Sequence, residues 1–299
     1  IFRRDFRIND NTGLSHCIKN SDNVYPIFIF TPEQIKNNKY KSDNAVQFMI
    51  ESLKYLSKKI KLTYCYGNYV DVLKDIIKKN KINSIYTNTD YTKYSLKREK
   101  DIQQLCDKLN INFNFYHDIC LFEPGSILTD GGKIYQKYTP FYNKALKLKV
   151  RPLIKLKNIK ENTKSAKTKF KIKDSKLKDF YIHNENLNIK GGRKEGLLIL
   201  KNLKKFKNYE KDRNQLSLAT THLSGYIKFG CVSIRECYFK IKKNFGLRDG
   251  LIKQLIWRDF YYHLGNGFID RFGKSLKDQY DDIKWDNNMT LFNKWKKGE

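Results

Sequence analysis

Short apolar runs alternate with helix-like repeats over the first 116 residues of the chain. Four runs have the length and composition of buried strands: 25–30, 62–66, 82–88 and 111–116. Three intervening segments carry apolar residues at helical spacing: 45–60, 69–79 and 95–109. Ser42 or Asp43 can cap the first of these helices. Strands that alternate with helices of this length predict an α/β fold, a Rossmann-like parallel sheet with helices on both faces.

The predicted sheet lacks the glycine-rich turn on which many such sheets hold a nucleotide. Gly13 and Gly67 are the only glycines before Gly125, so the G-x-G-x-x-G pattern is absent. A dinucleotide is therefore not expected on this sheet through the usual phosphate loop, and its site would lie elsewhere in the chain.

From Gly196 onward the helical period continues without strand-like runs. Ser233-x-x-Glu236 is a capping box that predicts a helix to about residue 244, and residues 247–264 predict a longer helix. We therefore expect three parts: an α/β domain (1–125), a basic interdomain linker (126–195) and the first part of an all-α domain (196–299).

The linker carries most of its charge in residues 149–178, which hold twelve Lys or Arg and only two acids, Glu161 and Asp174. A solvated connector is the interpretation we favour for this segment, with contact to phosphates as the alternative.

The charge of the whole chain predicts a polyanionic partner. There are 60 Lys and Arg residues against 31 Asp and Glu, a net charge of +29, while a hydrophobic content of 40% excludes a disordered basic tail. Nucleic acid is expected ahead of an anionic membrane surface. No apolar run approaches the roughly 20 residues that span a bilayer, so no membrane segment is expected.

The six cysteines include no C-x-x-C pair, and only five histidines accompany them. A metal site is therefore not expected, and reduced thiols are. Because the first residues lack an apolar signal region, we expect an intracellular protein, in the cytoplasm or nucleus or, for a viral protein, in a viral factory or virion.

The predicted helix 247–264 offers a candidate nucleic-acid surface. Ile252, Leu255 and Ile256 fall on one side of a helical wheel. Four other side chains gather on the opposite side: Gln254, Trp257, Arg258 and Tyr261. An indole beside an amide, a guanidinium and a phenol can stack on a base and bond its edge or phosphate. The alternative is that another helix covers Trp257.

A second candidate group precedes Gly225. Thr220, Thr221, His222, Leu223 and Ser224 form a turn whose hydroxyls and backbone amides can cradle a diphosphate. Upstream, an aromatic and a cation, Tyr209 and Arg213, lie one helical turn apart. The simpler interpretation of the turn is a helix cap.

Together these segments resemble the photolyase/cryptochrome family. Five stretches carry the resemblance: 2–11 (FRRDFRINDN), 25–34 (YPIFIFTPEQ), 139–142 (TPFY), 220–230 (TTHLSGYIKFG) and 254–263 (QLIWRDFYYH). The first is similar to the family's opening strand and turn, the second to its second strand, and the last two to its flavin-binding and lesion-pocket segments.

The resemblance implies a monomer that binds FAD in the helical domain and UV-damaged DNA beside it. By position, Tyr209 and residues 220–224 would hold the flavin, Arg213 and Arg258 would lie at the positive rim, and Trp257 would stack on a flipped-out pyrimidine dimer. The implied enzyme is a carbon–carbon lyase in which light-excited reduced flavin donates one electron to the dimer, which splits and returns it. Base flipping admits the lesion.

Three departures limit what the resemblance assigns. Gln254 stands where many cyclobutane-dimer enzymes have a glutamate, so cyclobutane and (6-4) lesions both stay open. Residues 88–92 (NTDYT) lack the acid often found near the antenna pigment, so neither folate nor deazaflavin is assigned. The chain is expected to be truncated at both ends, with the electron-relay residues beyond residue 299, so no catalytic residue is named.

Two other functions remain open from the sequence. A cryptochrome-like blue-light photoreceptor would use the same flavin-binding residues and signal through a partner. An inactive, truncated relic would bind DNA by charge alone.

Overall fold

The computed structural model describes residues 1–36, 38–156 and 159–299. Lys157, one of the cations in the predicted linker, lies outside the described residues. Four strands occur in these ranges: β1 (Ile27–Phe30), β2 (Thr63–Tyr66), β3 (Ser84–Asn88) and β4 (Asn112–Tyr116). Five helices accompany them: α1 (Thr12–Lys19), α2 (Pro32–Ile35), α3 (Asp43–Ser57), α4 (Tyr69–Asn80) and α5 (Lys93–Leu109). Each of the four predicted strands is present, and Ser42 caps α3.

The strands pair in parallel, β1 with β2 and β3 with β4. The first two residues of the chain lie between these pairs: the Phe2 N–H donates to the Ile27 carbonyl at 2.9 Å, and the Ile1 amino group donates to the Tyr86 carbonyl at 2.7 Å. The resulting order is β2, β1, residues 1–2, β3, β4. The α/β prediction is confirmed.

Residues 2–11, which resemble the family's opening strand and turn, do not continue as a strand after Phe2. Instead the chain turns, because the carboxylate of Asp5 accepts from the Arg3 N–H at 2.7 Å and its carbonyl accepts from the Arg7 N–H at 2.7 Å. These local bonds replace the ladder bonds of a strand, and they direct the Arg7 and Asp10 side chains into the protein interior.

The longer regular elements after β4 are helices. The helices are α6 (Tyr138–Leu146), α7 (Ile159–Asn162), α8 (Arg193–Lys201), α9 (Tyr209–Asp212), α10 (Leu223–Lys228), α11 (Ile234–Phe245), α12 (Gly250–Gly267) and α13 (Met289–Lys297). Short 3₁₀ turns occupy Asp174–Phe180, Leu203–Phe206, Ile269–Arg271 and Asp278–Tyr280. No helix in the described ranges is long and apolar enough to cross a membrane.

The capping box of α11 is confirmed, with reciprocal hydrogen bonds between Ser233 and Glu236. Helix α12 starts at Gly250 rather than at residue 247, because the Asp249 carboxylate accepts from the Leu251 N–H at 2.9 Å and fixes the helix start there.

One hydrophobic core extends across the boundary between the sheet and the helices. It includes Phe6, Phe30 and Leu53 from the α/β part and Phe141 and Ile252 from the helical part. A second, smaller core lies between the sheet and helices α4 and α5. The helical part is therefore packed directly against the sheet.

The predicted linker is anchored to the sheet along part of its length. Thr163 is buried and bridges to Val24, and the Phe170 carbonyl accepts from the Tyr66 N–H at 3.0 Å. This differs from the solvated connector that the charge pattern favoured, because backbone hydrogen bonds to the edge of the sheet hold the segment in place.

A buried ionic network joins four separate parts of the chain. The Arg235 guanidinium on α11 donates to Asp10 and to Asp118, both at 2.8 Å, and its side chain is 2% exposed. Arg7 also pairs with Asp118, and Arg151 reaches Asp10 at 2.7 Å. The network ties together the first loop (residues 3–11), the loop after β4, the segment after α6 and helix α11.

Arg235→Met should lower the free energy of unfolding by about 3–5 kcal/mol, because two carboxylates would stay buried without their shared cation. Urea denaturation followed by circular dichroism measures the loss. Arg271→Met, which breaks two ion pairs near the surface, is the control and should leave the midpoint nearly unchanged. Equal, small effects of both changes would contradict this role for Arg235.

Candidate functional site

Helix α12 holds the loop that follows β4 through a buried carboxylate. Asp259 accepts from the backbone N–H groups of Leu121 at 2.7 Å and Phe122 at 3.1 Å. Burial raises the pKa of Asp259 to about 7, although Arg258 and the two N–H groups act against that shift. The inner face of α12 is thereby fixed to the end of the sheet.

His263, one turn further along α12, makes a second contact with the same loop. Its Nδ1 accepts from the Gly125 N–H at 3.1 Å, and Asn266 donates to the Pro124 carbonyl at 3.3 Å. Burial lowers the pKa of His263 to about 4. Its imidazole is therefore neutral near pH 7 and able to accept this bond.

The outer part of α12 carries a stack of aromatic rings. Trp257 lies on the ring of Tyr138 with centroids 3.6 Å apart and planes 8° apart, and Tyr261 follows at 5.6 Å and 24°. The Tyr138 hydroxyl donates to the Lys253 carbonyl at 2.9 Å, which fixes the supporting ring to α12. One face of Trp257 is thus covered by a residue of α6, while the indole as a whole is half-buried.

Arg258 differs from the rim position expected for it. Its Nη1 donates to the Ile119 carbonyl at 2.5 Å, and its guanidinium lies 4.7 Å from the centroid of the Tyr262 ring. The side chain points toward the loop after β4, because that loop offers a carbonyl acceptor and Tyr262 offers a ring face. Arg258 therefore supports the contact between sheet and helix.

The remaining residues proposed for DNA lie nearer to solvent. Gln254 is half-buried one turn before Arg258, Arg213 is exposed directly after α9, and Tyr261 is 62% exposed.

The turn 220–224 places its side chains in two environments. Leu223 and Thr221 are buried, and the Thr221 hydroxyl accepts weakly from the Leu223 N–H at 3.4 Å. His222 has a φ of +49° and directly precedes α10. The side chains of His222 and Ser224 are exposed, and that of Thr220 is half-buried. The polar groups available to a ligand are therefore those of Thr220, His222 and Ser224.

Helix α9 brings Tyr209 beside α12. Gly250 at the start of α12 lies so close to α9 that a Cβ there would come within 2.4 Å of Glu210 Oε1, and Lys253 approaches the same oxygen at 3.5 Å. Tyr209 packs against the main core. No side-chain hydrogen bond within the described ranges joins the turn 220–224 to α12, whereas α9, which carries Tyr209, packs against the start of this helix through Glu210.

Sequence reasoning missed Asp259, His263 and Tyr138 as members of this region. Asp259 and His263 are four residues apart on the apolar face of α12, and a polar pair on a buried face indicates hydrogen bonds to another element. Tyr138 gave no comparable signal, because the contact depends on how α6 meets α12.

Metal ligation receives no support from the geometry. Within residues 1–36, 38–156 and 159–299, no group of three His, Cys, Asp or Glu side chains could hold an ion. All six cysteines are free thiols.

Comparison with known proteins relates the chain to DNA photolyases. A family model described as DNA photolyase matches residues 1–160. The chain is 30% identical to the deoxyribodipyrimidine photo-lyase of Buchnera aphidicola subsp. Acyrthosiphon pisum (strain APS), over 99% of this chain and 65% of that protein. It is 24% identical to the (6-4)DNA photolyase of Arabidopsis thaliana, over 100% of this chain and 60% of that protein.

The structure is also similar to that of an archaeal photolyase from Sulfolobus tokodaii with two FAD molecules. The TM-score is 0.84 at 32% identity, covering 99% of this chain and 66% of the archaeal chain. The chain thus spans just under two thirds of the length of the curated relatives and of this structure.

Asp259 and His263 should give opposite dependences of stability on pH. Asp259 holds its proton in the folded protein up to about pH 7, against 3.8 in the unfolded chain, so its contribution is lost as the pH rises between these values. His263 has a lowered pKa of about 4 against 6.5, so its contribution is lost as the pH falls through that interval.

Each substitution should therefore remove the pH dependence of stability that its own side chain contributes and leave that of the other side chain in place. Relative to the parent, the free energy of unfolding of Asp259→Asn should increase as the pH rises from about 4 to 7. That of His263→Gln should decrease relative to the parent as the pH rises from about 4 to 6.5. Each change should be at most about 1.4 kcal/mol per pH unit. Urea denaturation at several pH values measures both slopes. Slopes of the same sign would contradict the opposite pKa shifts.

Proposed function

The chain belongs to the DNA photolyase family, and on this basis we propose that the protein repairs pyrimidine dimers in UV-damaged DNA with light and FAD. The observation that carries the proposal is the packing of α9 against α12. It brings Tyr209, expected to contact the flavin, next to the helix that presents Gln254 and Trp257, expected to contact the lesion. Electron donor and acceptor would then share one region, as the reaction requires.

The turn 220–224 has the donor groups that a diphosphate needs. Among the described residues, the hydroxyls of Thr220 and Ser224 have no hydrogen-bond partner, so both are available to phosphate oxygens. Backbone N–H groups at the start of α10 add further donors. We accordingly propose that FAD is held by six residues: Tyr209, Thr220, Thr221, His222, Leu223 and Ser224. Leu223 contributes through its backbone, because its side chain belongs to the core. When bound, reduced FAD supplies the electron that the lesion accepts under light.

The aromatic stack prepares Trp257 for a flipped-out base. Tyr138 fixes the orientation of the indole from one side, so little rotational freedom is lost when a base contacts the remaining surface. Gln254 can donate to and accept from a base edge, and the exposed Arg213 can contact a phosphate. Tyr261 would extend the stacking surface outward. Arg258 acts indirectly, by holding α12 against the loop after β4.

Gln254 is compatible with both lesion classes that the sequence leaves open. Its amide carries no charge and offers both a donor and an acceptor, which fits either a cyclobutane or a (6-4) dimer. We assign no antenna pigment to this protein.

Trp257→Ala should weaken binding to dimer-containing duplex about tenfold to a hundredfold more than binding to undamaged duplex, because stacking contributes about 1–3 kcal/mol per base. Fluorescence anisotropy with both duplexes measures the difference. Trp285→Ala, which truncates a tryptophan that is 74% exposed, is the matched control and should leave the ratio unchanged. Equal losses on both duplexes would indicate that Trp257 only packs.

Thr220→Val combined with Ser224→Ala should weaken FAD binding about tenfold or more, since hydrogen bonds to a charged group contribute about 1.5–3 kcal/mol each. Titration of the apoprotein with FAD, followed by quenching of flavin fluorescence, gives the Kd. Thr290→Val with Ser175→Ala removes the same groups at exposed positions elsewhere. An unchanged Kd in the first variant would place the flavin outside this turn.

A further inference from the structure

Residues 163–173, which we call the basic loop, are fixed to the edge of β2. On the way out, the Ala166 N–H donates to Thr63 Oγ1 at 2.9 Å. The chain turns at residues 169–170. On the way back, the Phe170 carbonyl accepts from the Tyr66 N–H at 3.0 Å. The Ile172 N–H then donates to the Tyr64 carbonyl, also at 3.0 Å. The backbone of the loop is therefore held on both sides of its turn.

Helix α4 holds the tip of the same loop. Asn80 donates to the Lys167 carbonyl and accepts from the Lys167 N–H, both at 2.9 Å. Asp75 accepts from the Thr168 hydroxyl at 2.7 Å and the Lys169 N–H at 3.0 Å. The bond from Thr168, together with Lys79, lowers the pKa of Asp75 to about 2. This carboxylate is ionised and already engaged.

The loop separates apolar from charged side chains. Ala166 is buried, and Phe170 and Ile172 pack against the two cores. Five lysines of the loop are exposed: Lys164, Lys167, Lys169, Lys171 and Lys173. None of these five forms an ion pair with a carboxylate among the described residues. Two of the five ammonium groups have defined contacts, and both contacts are neutral: the Ser165 hydroxyl lies 3.2 Å from Lys171 Nζ, and the centroid of the Phe170 ring lies 5.3 Å from Lys169 Nζ.

We propose that the basic loop is a second surface for nucleic acid, which contacts backbone phosphates from the α/β part of the protein. Several unpaired ammonium groups on a fixed backbone can replace the counterions of a duplex without a large cost of ordering. Basic segments that bind membranes also present apolar side chains to the lipid. Here the apolar side chains face inward, which favours nucleic acid. The proposal requires neither flavin nor lesion and is independent of the proposed repair activity.

The test compares two quadruple variants of the full-length protein on an undamaged, labelled duplex of about 20 base pairs. The first changes Lys167, Lys169, Lys171 and Lys173 to Gln. The matched control makes the same change at four exposed lysines on other elements: Lys54, Lys108, Lys147 and Lys243. Both remove four positive charges. Anisotropy between about 50 and 200 mM salt gives the slope of log Kobs against log salt.

We expect the loop variant to have a slope shallower by up to about 3.6, since each of the four lost phosphate contacts removes about 0.9, and the control to change by less than about 1. The same four positions changed to Arg should restore the parental slope. Equal slopes in the Gln variant and its control would overturn the proposal. It would also be overturned if the Gln variant lost binding to vesicles containing anionic lipid while its duplex binding stayed parental.

Discussion

The shared pairing of Asp10 and Asp118 with Arg235 is the interaction on which the rest of the structure depends. Burial opposes the ionisation of Asp118, yet Arg7 and Arg235 lower its pKa to about 2, and the pKa of Asp10 is lowered as well. Charges removed from water in this way are stable only while all partners are present. The first loop, the loop after β4 and α11 must therefore come together as a unit.

This unit positions the candidate site. Arg235 also donates to the carbonyls of Asp118 and Cys120, at 2.7 and 3.0 Å, which orients the loop after β4. The same loop then meets Arg258, Asp259 and His263 of α12. The outer surface of α12, with Trp257 stacked on Tyr138, is thus placed by contacts that run back to the carboxyl ends of the parallel strands. Sites at this end of a sheet are typical of α/β proteins.

Local patterns in the sequence were sufficient for the strands and the long helices but not for the contacts between them. Periodicity located the strands and long helices, and the capping box at Ser233 located the start of α11, because these depend on neighbouring residues. A helical wheel placed Trp257 and Arg258 on the outer side of α12, but it carries no information on the loop carbonyl that receives Arg258. The stack with Tyr138 and the bonds from Asn80 and Asp75 to the basic loop join residues more than eighty positions apart, so no local pattern encodes them.

The most direct test of the account is illumination of the full-length protein with reduced FAD and an oligonucleotide that contains one cyclobutane or one (6-4) dimer. Chromatography of the digested DNA counts the dimers that remain. We expect one lesion class to be converted to normal pyrimidines in the light and to stay unchanged in the dark. A protein that binds FAD and DNA yet leaves both lesions intact under light would contradict repair and favour a photoreceptor.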